Sequence, residues 1–135
     1  MARGYWLVKT EPSTYGWERF VAEGGTRWDG VRNPTARRNL GEMQRGDPVL
    51  FYHSGDGKEV VGLARVAQEA YPDPADDRWL AVDLEPVRAL ARPVPLAELK
   101  SDRALAKLPM LRQPRLSVVP VTKPEFDRIV TLGKL

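Results

Sequence analysis

Three separated stretches in the first half of the chain carry side chains that could together bind a flat heterocyclic ligand. Residues 6–11 (WLVKTE) end in a lysine and a glutamate, residues 28–33 (WDGVRN) combine an indole, a carboxylate, a guanidinium and an amide, and residues 52–54 (YHS) add a phenol, an imidazole and a hydroxyl. An aromatic ring stacked on a nucleic-acid base contributes about 1–3 kcal/mol. Carboxylate, amide and backbone groups can then read the pairing edge of that base. If the three stretches meet, they form a pocket suited to a base.

Each of these side chains also has a purely structural interpretation. Trp6 and Trp28 could be core residues, because tryptophan is largely buried in most proteins. Glu11 precedes a proline and could be a solvated turn residue, and His53 could be a core histidine bonded to backbone. Three arginines in and after the second stretch suit bidentate phosphate contacts. They could instead form a solvated helix face: Arg32, Arg37 and Arg38.

A catalytic interpretation finds little support in the residue spacing. Nucleophilic or acid–base chemistry needs a nucleophile beside a base, or two carboxylates with different pKa values. Ser54 directly follows His53, and neighbours in a strand point to opposite faces, so they do not form a nucleophile–base pair. Nothing in the spacing brings the carboxylates of Glu11 and Asp29 together. The chain also has no glycine-rich phosphate loop and no GxSxG motif. We therefore expect no enzymatic activity and no cofactor.

Composition bounds the remaining possibilities. The length of 135 residues suits one domain, residues 1–135. With no cysteine and one histidine, a disulfide or a metal site is not expected. A net charge of +3, from 21 basic and 18 acidic residues, permits contact with nucleic acid, although a high-GC genome would also enrich arginine. No apolar run approaches the roughly 20 residues of a membrane span. We expect a cytoplasmic protein without a membrane partner; its oligomeric state is open, with a monomer favoured.

Apolar periodicity and turn residues predict the elements that position these stretches. Thr14, Asn33 and Thr122 are predicted helix caps, residues 28–30 an irregular turn, and residues 71–77 a polar loop. The strand order, without βαβ spacing, indicates an α+β fold: a mixed or antiparallel sheet curled into a small barrel with flanking helices. The predicted strands are residues 5–10, 48–54, 60–70, 79–91 and 116–121, and the predicted helices are residues 15–23, 34–43, 96–100, 102–108 and 123–132.

Several segments together resemble the EVE domain, a family of the PUA-like superfamily. They include YWLVKTEPSTY, WDGVRNPTARRNL, GDPVLFYHSG, VVGLARVAQEAYPD and RLSVVPVT, and the resemblance extends from about Gly4 to Leu132. It implies a PUA-like curled β barrel that binds modified bases, mostly modified cytosines in DNA or modified nucleotides in RNA, in an aromatic pocket. The pocket residues that it implies are Trp6, Lys9, Glu11, Trp28, Gly30, Val31, Arg32, Asn33, Tyr52, His53, Ser54, Leu116 and Ser117.

The resemblance also implies how such a protein would work. A nucleotide would flip out of its stack onto Trp28 or Trp6, while Glu11, Asn33 and Ser54 read its edge. A small apolar niche formed by Val31 and Leu116 would sense the added group. The phosphate-binding residues would be Arg32, Arg37 and Arg38.

Two alternatives remain at this stage. One is an enzyme acting on a modified base, with Glu11 and His53 as acid and base, and the other is a module that senses free nucleosides. Pro34 and the short loop at residues 71–78 depart from many related sequences. Both departures affect the pocket rim, and they leave open whether DNA or RNA is preferred.

Overall fold

A sheet flanked by helices dominates the computed structural model, which describes residues 4–55 and 57–135. The predicted α+β class is confirmed. In chain order the strands are β1 (Tyr5–Thr10), β2 (Thr26–Trp28), β3 (Pro48–His53), β4 (Glu59–Asp73), β5 (Asp76–Pro95) and β6 (Val118–Val121). The α-helices of the described residues are α1 (Trp17–Glu23), α2 (Pro34–Glu42), α3 (Leu96–Ser101), α4 (Pro109–Arg112) and α5 (Lys123–Leu132), with a 3-10 turn at Arg103–Leu105.

The strand order across the sheet is β2-β5-β4-β3-β1-β6. β1 and β3 run parallel, with Val8 opposite Phe51 and Thr10 opposite His53, whereas the other strand pairs are antiparallel. The sheet is mixed, as predicted, but among the described residues it does not close into the predicted barrel, because β2 and β6 remain its edges. Parallel pairing aligns the carboxyl ends of β1 and β3, so the residues that follow both strands meet at one end of the sheet.

The β4–β5 hairpin is longer than the sequence predicts. Both strands continue through the predicted polar loop at residues 71–77, which is wrong apart from a tip at Pro74 and Ala75. The Asp73 carboxylate accepts a hydrogen bond from Ala75 N at 2.8 Å, which closes the tip as an Asx turn. Tyr71 donates its hydroxyl to Asp83 on the facing strand. Burial, followed by this hydrogen bond, raises the pKa of Tyr71 to about 12. Cross-strand contacts therefore override the turn-forming composition of this segment.

Two predicted helix caps are confirmed. The Asn33 side chain accepts a hydrogen bond from Ala36 N at 3.0 Å at the start of α2. Thr122 and Glu125 form a reciprocal capping box at the start of α5, with N–O distances of 3.3 and 2.9 Å. Both caps depend on residues close in sequence, which is why the sequence identifies them.

The predicted cap of α1 is wrong. α1 begins at Trp17 rather than Tyr15, and its N-cap is Gly16, which has no side chain to accept a hydrogen bond. Instead Nε2 of His53, at the end of β3, accepts a hydrogen bond from Trp17 N at 3.0 Å. Thr14 belongs to the preceding turn, where its backbone N–H donates to Glu11 O. The cap of α1 thus comes from a distant strand.

An aromatic cluster packs α1 and the edge strand β2 around Phe51 of β3. The rings of Phe20 and Phe51 are stacked with centroids 5.0 Å apart, and Trp17 and Trp28 contact Phe51 edge-on at 5.2 and 5.7 Å. A Cβ placed on Gly62 would lie 2.4 Å from the Trp17 ring, so β4 approaches α1 closely only because glycine is there. Trp28 also pairs with Val82 of β5, so it lies in a strand and not in the predicted irregular turn.

The remaining differences lie towards the C-terminus. The helical segment predicted over 102–108 is a 3-10 turn of three residues followed by α4, and β6 begins at Val118, two residues later than predicted. Across residues 4–55 and 57–135, we find no helix that is both long enough and apolar enough to cross a membrane.

Candidate nucleic-acid interface

The parallel pairing of β1 and β3 brings parts of the predicted pocket together at one end of the sheet. Ser54 N donates to Thr10 O, and Lys9 N donates to Ser117 O, both at 2.9 Å. Glu11 lies beside the turn after β3, since a Cβ on Gly55 would be 3.6 Å from the Glu11 Cγ. The stretches at residues 9–11, 52–54 and 116–117 are therefore neighbours, although they are far apart in the sequence.

Lys9 connects this end of the sheet to the segment before β6. Its Nζ donates to Pro114 O at 3.1 Å, and burial lowers the pKa of the Lys9 ammonium. Tyr52 pairs with Lys9 in register and is almost completely buried, which raises the pKa of the Tyr52 phenol. Lys9 is therefore tied to the segment before β6, whereas most of the Tyr52 side chain belongs to the core.

Beside the end of β1 lies a cleft of about 500 Å³, within the size range of small-ligand pockets. We call it the Trp28 cleft. Trp28 is only 9% exposed, but its accessible part lies in the wall of the cleft, and Tyr15 packs edge-on against it at 6.4 Å. Its other walls include the side chains of Thr10, Glu23, Arg27 and Asp29. The cleft therefore combines aromatic surface with hydrogen-bonding groups.

The charges of the Trp28 cleft are balanced. Arg27 pairs with Asp29 at 3.1 Å, and Glu23 accepts the Tyr15 hydroxyl at 2.6 Å and the Arg19 guanidinium at 3.2 Å. Burial, followed by the bond to Glu23, raises the pKa of Tyr15. Paired charges give the cleft donors and acceptors without a strong net field, which suits a neutral base better than a phosphate.

A buried carboxylate holds the loop that follows Trp28. Asp73 is 2% exposed and accepts hydrogen bonds from Gly30 N and from Arg32 Nη1, both at 3.0 Å. These bonds, with that from Ala75 N, lower the pKa of Asp73 to about 2; the Gly30 N–H is the largest cause. Gly30 has a φ of +74°, a conformation that other residues rarely adopt. Gly30 and Arg32 thus contribute to the shape of the loop.

A second, smaller cleft of about 320 Å³ lies at the other end of the same loop. We call it the Leu116 cleft, and its lining is Asn33, Thr35, Gln113, Pro114, Arg115 and Leu116. The Asn33 side-chain oxygen is already engaged in capping α2. Val31 and Leu116 are 7% and 6% exposed, so the predicted apolar niche offers only a small surface.

His53 has a structural role at this end of the sheet. Because its Nε2 accepts from Trp17 N, that nitrogen carries no proton in this arrangement. Burial lowers the pKa of His53, and the charge of Glu59 opposes this effect in part. Among the described residues, no group of three carboxylate or histidine side chains is arranged to hold a metal ion.

Trp6, Arg37 and Arg38 lie away from the two clefts. Trp6 is 5% exposed and donates from Nε1 to Asp47 at 3.0 Å, near the start of β3, so it lies at the opposite end of β1 from the cleft. The prediction that Trp6 could stack on a base is therefore not supported by its position. Arg37 donates from Nε to Arg78 O at 2.8 Å, whereas Arg38 is exposed on α2.

Comparison with known proteins decides the family. Residues 4–132 match the sequence profile described as the EVE domain. The chain belongs to the EVE domain family. Mouse thymocyte nuclear protein 1 is 34% identical over 164 aligned residues, which cover 95% of this chain and 73% of that protein. The cytoplasmic location predicted from the sequence stays a prediction.

Solved structures of similar proteins include one in a complex with DNA. An NMR structure of a protein from Rhodopseudomonas palustris is 43% identical, with a TM-score of 0.93 over 97% of this chain and 93% of that one. The human THYN1 protein in complex with DNA containing 5-methylcytosine is 32% identical, with a TM-score of 0.89 over 98% of each chain. The PUA-like architecture implied by the sequence is thus confirmed for this EVE domain.

Sequence reasoning missed several residues of the Trp28 cleft and the Leu116 cleft. Thr10 and Tyr15 line the Trp28 cleft, and Gln113 and Arg115 line the Leu116 cleft. Thr10 precedes Glu11 and shares a strand face with Val8, so alternation along β1 could have identified it. The buried position of Asp73 could not be predicted, because this residue lies in a segment with the composition of a solvated loop.

Proposed function

We propose that this EVE domain is a non-catalytic reader that takes a modified base, in particular a modified cytosine of DNA or RNA, out of its stack and into the Trp28 cleft. The observation that carries the proposal is an aromatic, charge-balanced cleft beside the carboxyl end of β1. It supports the proposal because it occurs in a family whose human member is known in a complex with DNA containing 5-methylcytosine.

Recognition would combine stacking with readout of the base edge. Tyr15 and the accessible part of Trp28 provide the stacking surface. Carboxylates suit the exocyclic amine of cytosine, which is a hydrogen-bond donor, so Asp29 and Glu23 are the natural acceptors in this cleft. The hydroxyl of Thr10 already donates to Tyr15 O at 3.0 Å and so positions the aromatic wall.

Selectivity for an added methyl group is expected to be modest. Burying a methyl-sized group contributes about 0.8 kcal/mol, which corresponds to a preference of roughly fourfold. None of the residues expected from the sequence to form the apolar niche or to read the base edge lines the Trp28 cleft: Val31, Leu116, Asn33, Ser54, Glu11 and Ser117. For a base in this cleft, their roles stay predictions from the sequence. A larger preference would require a hydrogen bond to the added group, as for a hydroxymethyl or formyl group.

The three arginines proposed from the sequence to bind phosphate differ in whether their guanidinium groups are already engaged. Arg32 is paired with Asp73 and Arg37 with a backbone carbonyl, so either would have to share its guanidinium with a phosphate. Arg38 is exposed on α2, and among the described residues we find no hydrogen bond or ion pair from its side chain. Arg38 is therefore the α2 arginine that we expect to contact the backbone.

Binding of matched oligonucleotides tests the proposal. We expect a lower Kd for an oligonucleotide with 5-methylcytosine or a related modified base than for its unmodified counterpart. Tyr15→Leu should weaken binding of the modified strand about 5- to 150-fold, because stacking contributes about 1–3 kcal/mol per base. The matched control is Tyr5→Leu, which removes a half-buried tyrosine packed on Phe126 at the far end of β1. Equal affinity for modified and unmodified strands across a panel of modifications would overturn the proposal.

Two further measurements separate the alternatives. Mass spectrometry of the oligonucleotide after incubation should show no change. Turnover that is lost in Glu11→Gln would replace the reader with an enzyme. A titration with free modified nucleoside should give weaker binding than the oligonucleotide, since the phosphate contacts are missing; equal affinity would instead indicate a nucleoside sensor.

A further inference from the structure

Unpaired positive charge is concentrated in the segment from the end of α3 to the Leu116 cleft. Residues 100–115 contain five basic residues and one acidic residue, Asp102, which gives the segment a net charge of +4 against +3 for the whole chain. Asp102 is itself paired with Arg128. We call these residues the basic segment, and its five cations are all exposed: Lys100, Arg103, Lys107, Arg112 and Arg115.

Most other arginines of the described residues are neutralised by a carboxylate. Ion pairs engage Arg19, Arg27, Arg32, Arg65, Arg78, Arg92 and Arg128. By contrast, we find no ion pair between any cation of the basic segment and another described residue. An ion pair cancels most of the field of its cation, so the unpaired arginines that remain outside the basic segment among the described residues are scattered, such as Arg38, Arg45 and Arg88.

The basic segment ends at the proposed site. Gln113, Pro114 and Arg115 line the Leu116 cleft together with Asn33, at the end of the loop that begins with Trp28. Lys9 fixes this part of the segment to β1 through its bond to Pro114 O. A strand with one base in the Trp28 cleft can follow the loop past the paired residues Asp29 and Arg32 to Arg115 and Arg112, whose charges are unpaired among the described residues.

We propose that the basic segment binds the sugar–phosphate backbone of the nucleic acid whose base occupies the Trp28 cleft, with Arg115 and Arg112 as the main phosphate contacts and Lys107 beyond them. This inference rests on the proposed function for the position of the base. It assigns the main backbone contact to the chain before β6 rather than to α2, where Arg37 is already engaged. The partner it fits is a polyanionic strand, because regularly spaced phosphates match several free cations along one stretch of chain.

The test compares two double variants of equal charge. Arg112→Gln with Arg115→Gln removes two cations of the basic segment. Arg45→Gln with Arg88→Gln removes two exposed arginines elsewhere, one after α2 and one on β5, and neither lines the Trp28 cleft or the Leu116 cleft. The Kd of each protein is measured for a modified and an unmodified oligonucleotide between about 50 and 200 mM salt. Thermal unfolding confirms that both variants fold.

Counterion release sets the expected size of the effect. Each lost phosphate contact weakens binding about fourfold to fivefold near 0.15 M salt, so the Arg112/Arg115 variant should bind roughly 15- to 30-fold more weakly. Its plot of log K against log salt should be shallower by about 1.4 for a single strand and 1.8 for a duplex. The ratio of modified to unmodified affinity should not change, because these contacts do not touch the base. Adding Lys107→Gln should weaken binding by about a further fourfold to fivefold, the effect of one lost phosphate contact.

The outcomes separate this inference from the proposed function. Equal weakening by the two double variants would overturn the inference, because net charge alone would then explain it. If the wild type shows no preference for any modified base but the Arg112/Arg115 variant still has the shallower salt slope, the proposed function fails and the inference stands. If the preference is present and depends on Tyr15, yet the Arg112/Arg115 variant matches the control variant, the function stands and the inference fails.

Discussion

The bond between His53 and the start of α1 leads to a quantitative prediction for His53→Phe. Phenylalanine keeps a ring at the contact with Phe51, where the centroids are 5.9 Å apart, but it cannot accept the Trp17 N–H. An unsatisfied buried donor costs about 1–3 kcal/mol, and partial exposure of this site favours the lower end, about 1–1.5 kcal/mol. With an unfolding entropy of about 2.1 cal/mol/K per residue, the Tm should fall by about 4–5 °C.

The same bond makes the stability difference depend on pH. Burial holds the pKa of His53 below its ordinary value of 6.5 in the folded protein. A protonated ring would also be unable to accept the hydrogen bond from Trp17 N. The contribution of neutral His53 is therefore fully present above pH 6.5 and is lost as the pH falls through the lower folded pKa. We expect the difference between the wild type and His53→Phe to be largest near about pH 7.5 and to shrink in acid.

Urea unfolding followed by tryptophan fluorescence at about pH 7.5 and pH 5 measures this difference, with other titrating groups cancelling between the two proteins. His53→Gln is a useful control, because its side-chain oxygen can accept a hydrogen bond but does not titrate. It should recover part of the stability and remove the pH dependence. A difference between the wild type and His53→Phe that is the same at both pH values would refute the cap assigned to His53.

Two further predictions concern the loop and the core. Asp73→Asn keeps an acceptor for Gly30 N but loses the charge that pairs with Arg32. The folded pKa of about 2 lies below the ordinary 3.8, so the stability contribution is present above pH 3.8 and is lost as the pH falls towards 2. Acid unfolding followed by near-UV circular dichroism should show the variant less stable at neutral pH, with the difference vanishing in strong acid. Gly62→Ala should destabilise by about 1–3 kcal/mol in thermal unfolding, because its methyl group would meet the Trp17 ring at 2.4 Å.

Local signals in the sequence predicted much of the fold. Strands β1 and β3 follow from short apolar runs that end at turn residues, and α2 and α5 follow from caps whose partners lie three residues away. The start of α1 could not be predicted in this way, because its cap is His53, 36 positions along the chain. The length of the β4–β5 hairpin could not either, because cross-strand partners hold a segment with turn-like composition in extended pairing.

The stretches of chain that contribute to the candidate site could be predicted, but the side chains within them that line the clefts could not. The residues at the ends of β1 and β3 meet because these strands pair in parallel, which the sequence does not reveal. Trp6 is an example of what the sequence does not reveal. It lies on β1 with Thr10, but four strand positions, or about 13 Å, separate the two residues. Trp6 donates a hydrogen bond to Asp47 at the opposite end of β1. Only the structure shows that Arg32 is engaged in an ion pair and that the cations of the basic segment have no ion pair with another described residue.

Two long-range hydrogen bonds hold two segments that contribute walls of the Trp28 cleft. His53 fixes the start of α1, next to Tyr15, and Asp73 fixes the loop that begins at Trp28. Neither lines the cleft, so neither can distinguish one base from another. A wall that is already ordered loses less conformational entropy when a ligand binds, which favours every ligand of the cleft equally. Substitution of His53 or Asp73 should therefore weaken modified and unmodified strands by the same factor, whereas a change at Tyr15 or Asp29 should alter their ratio.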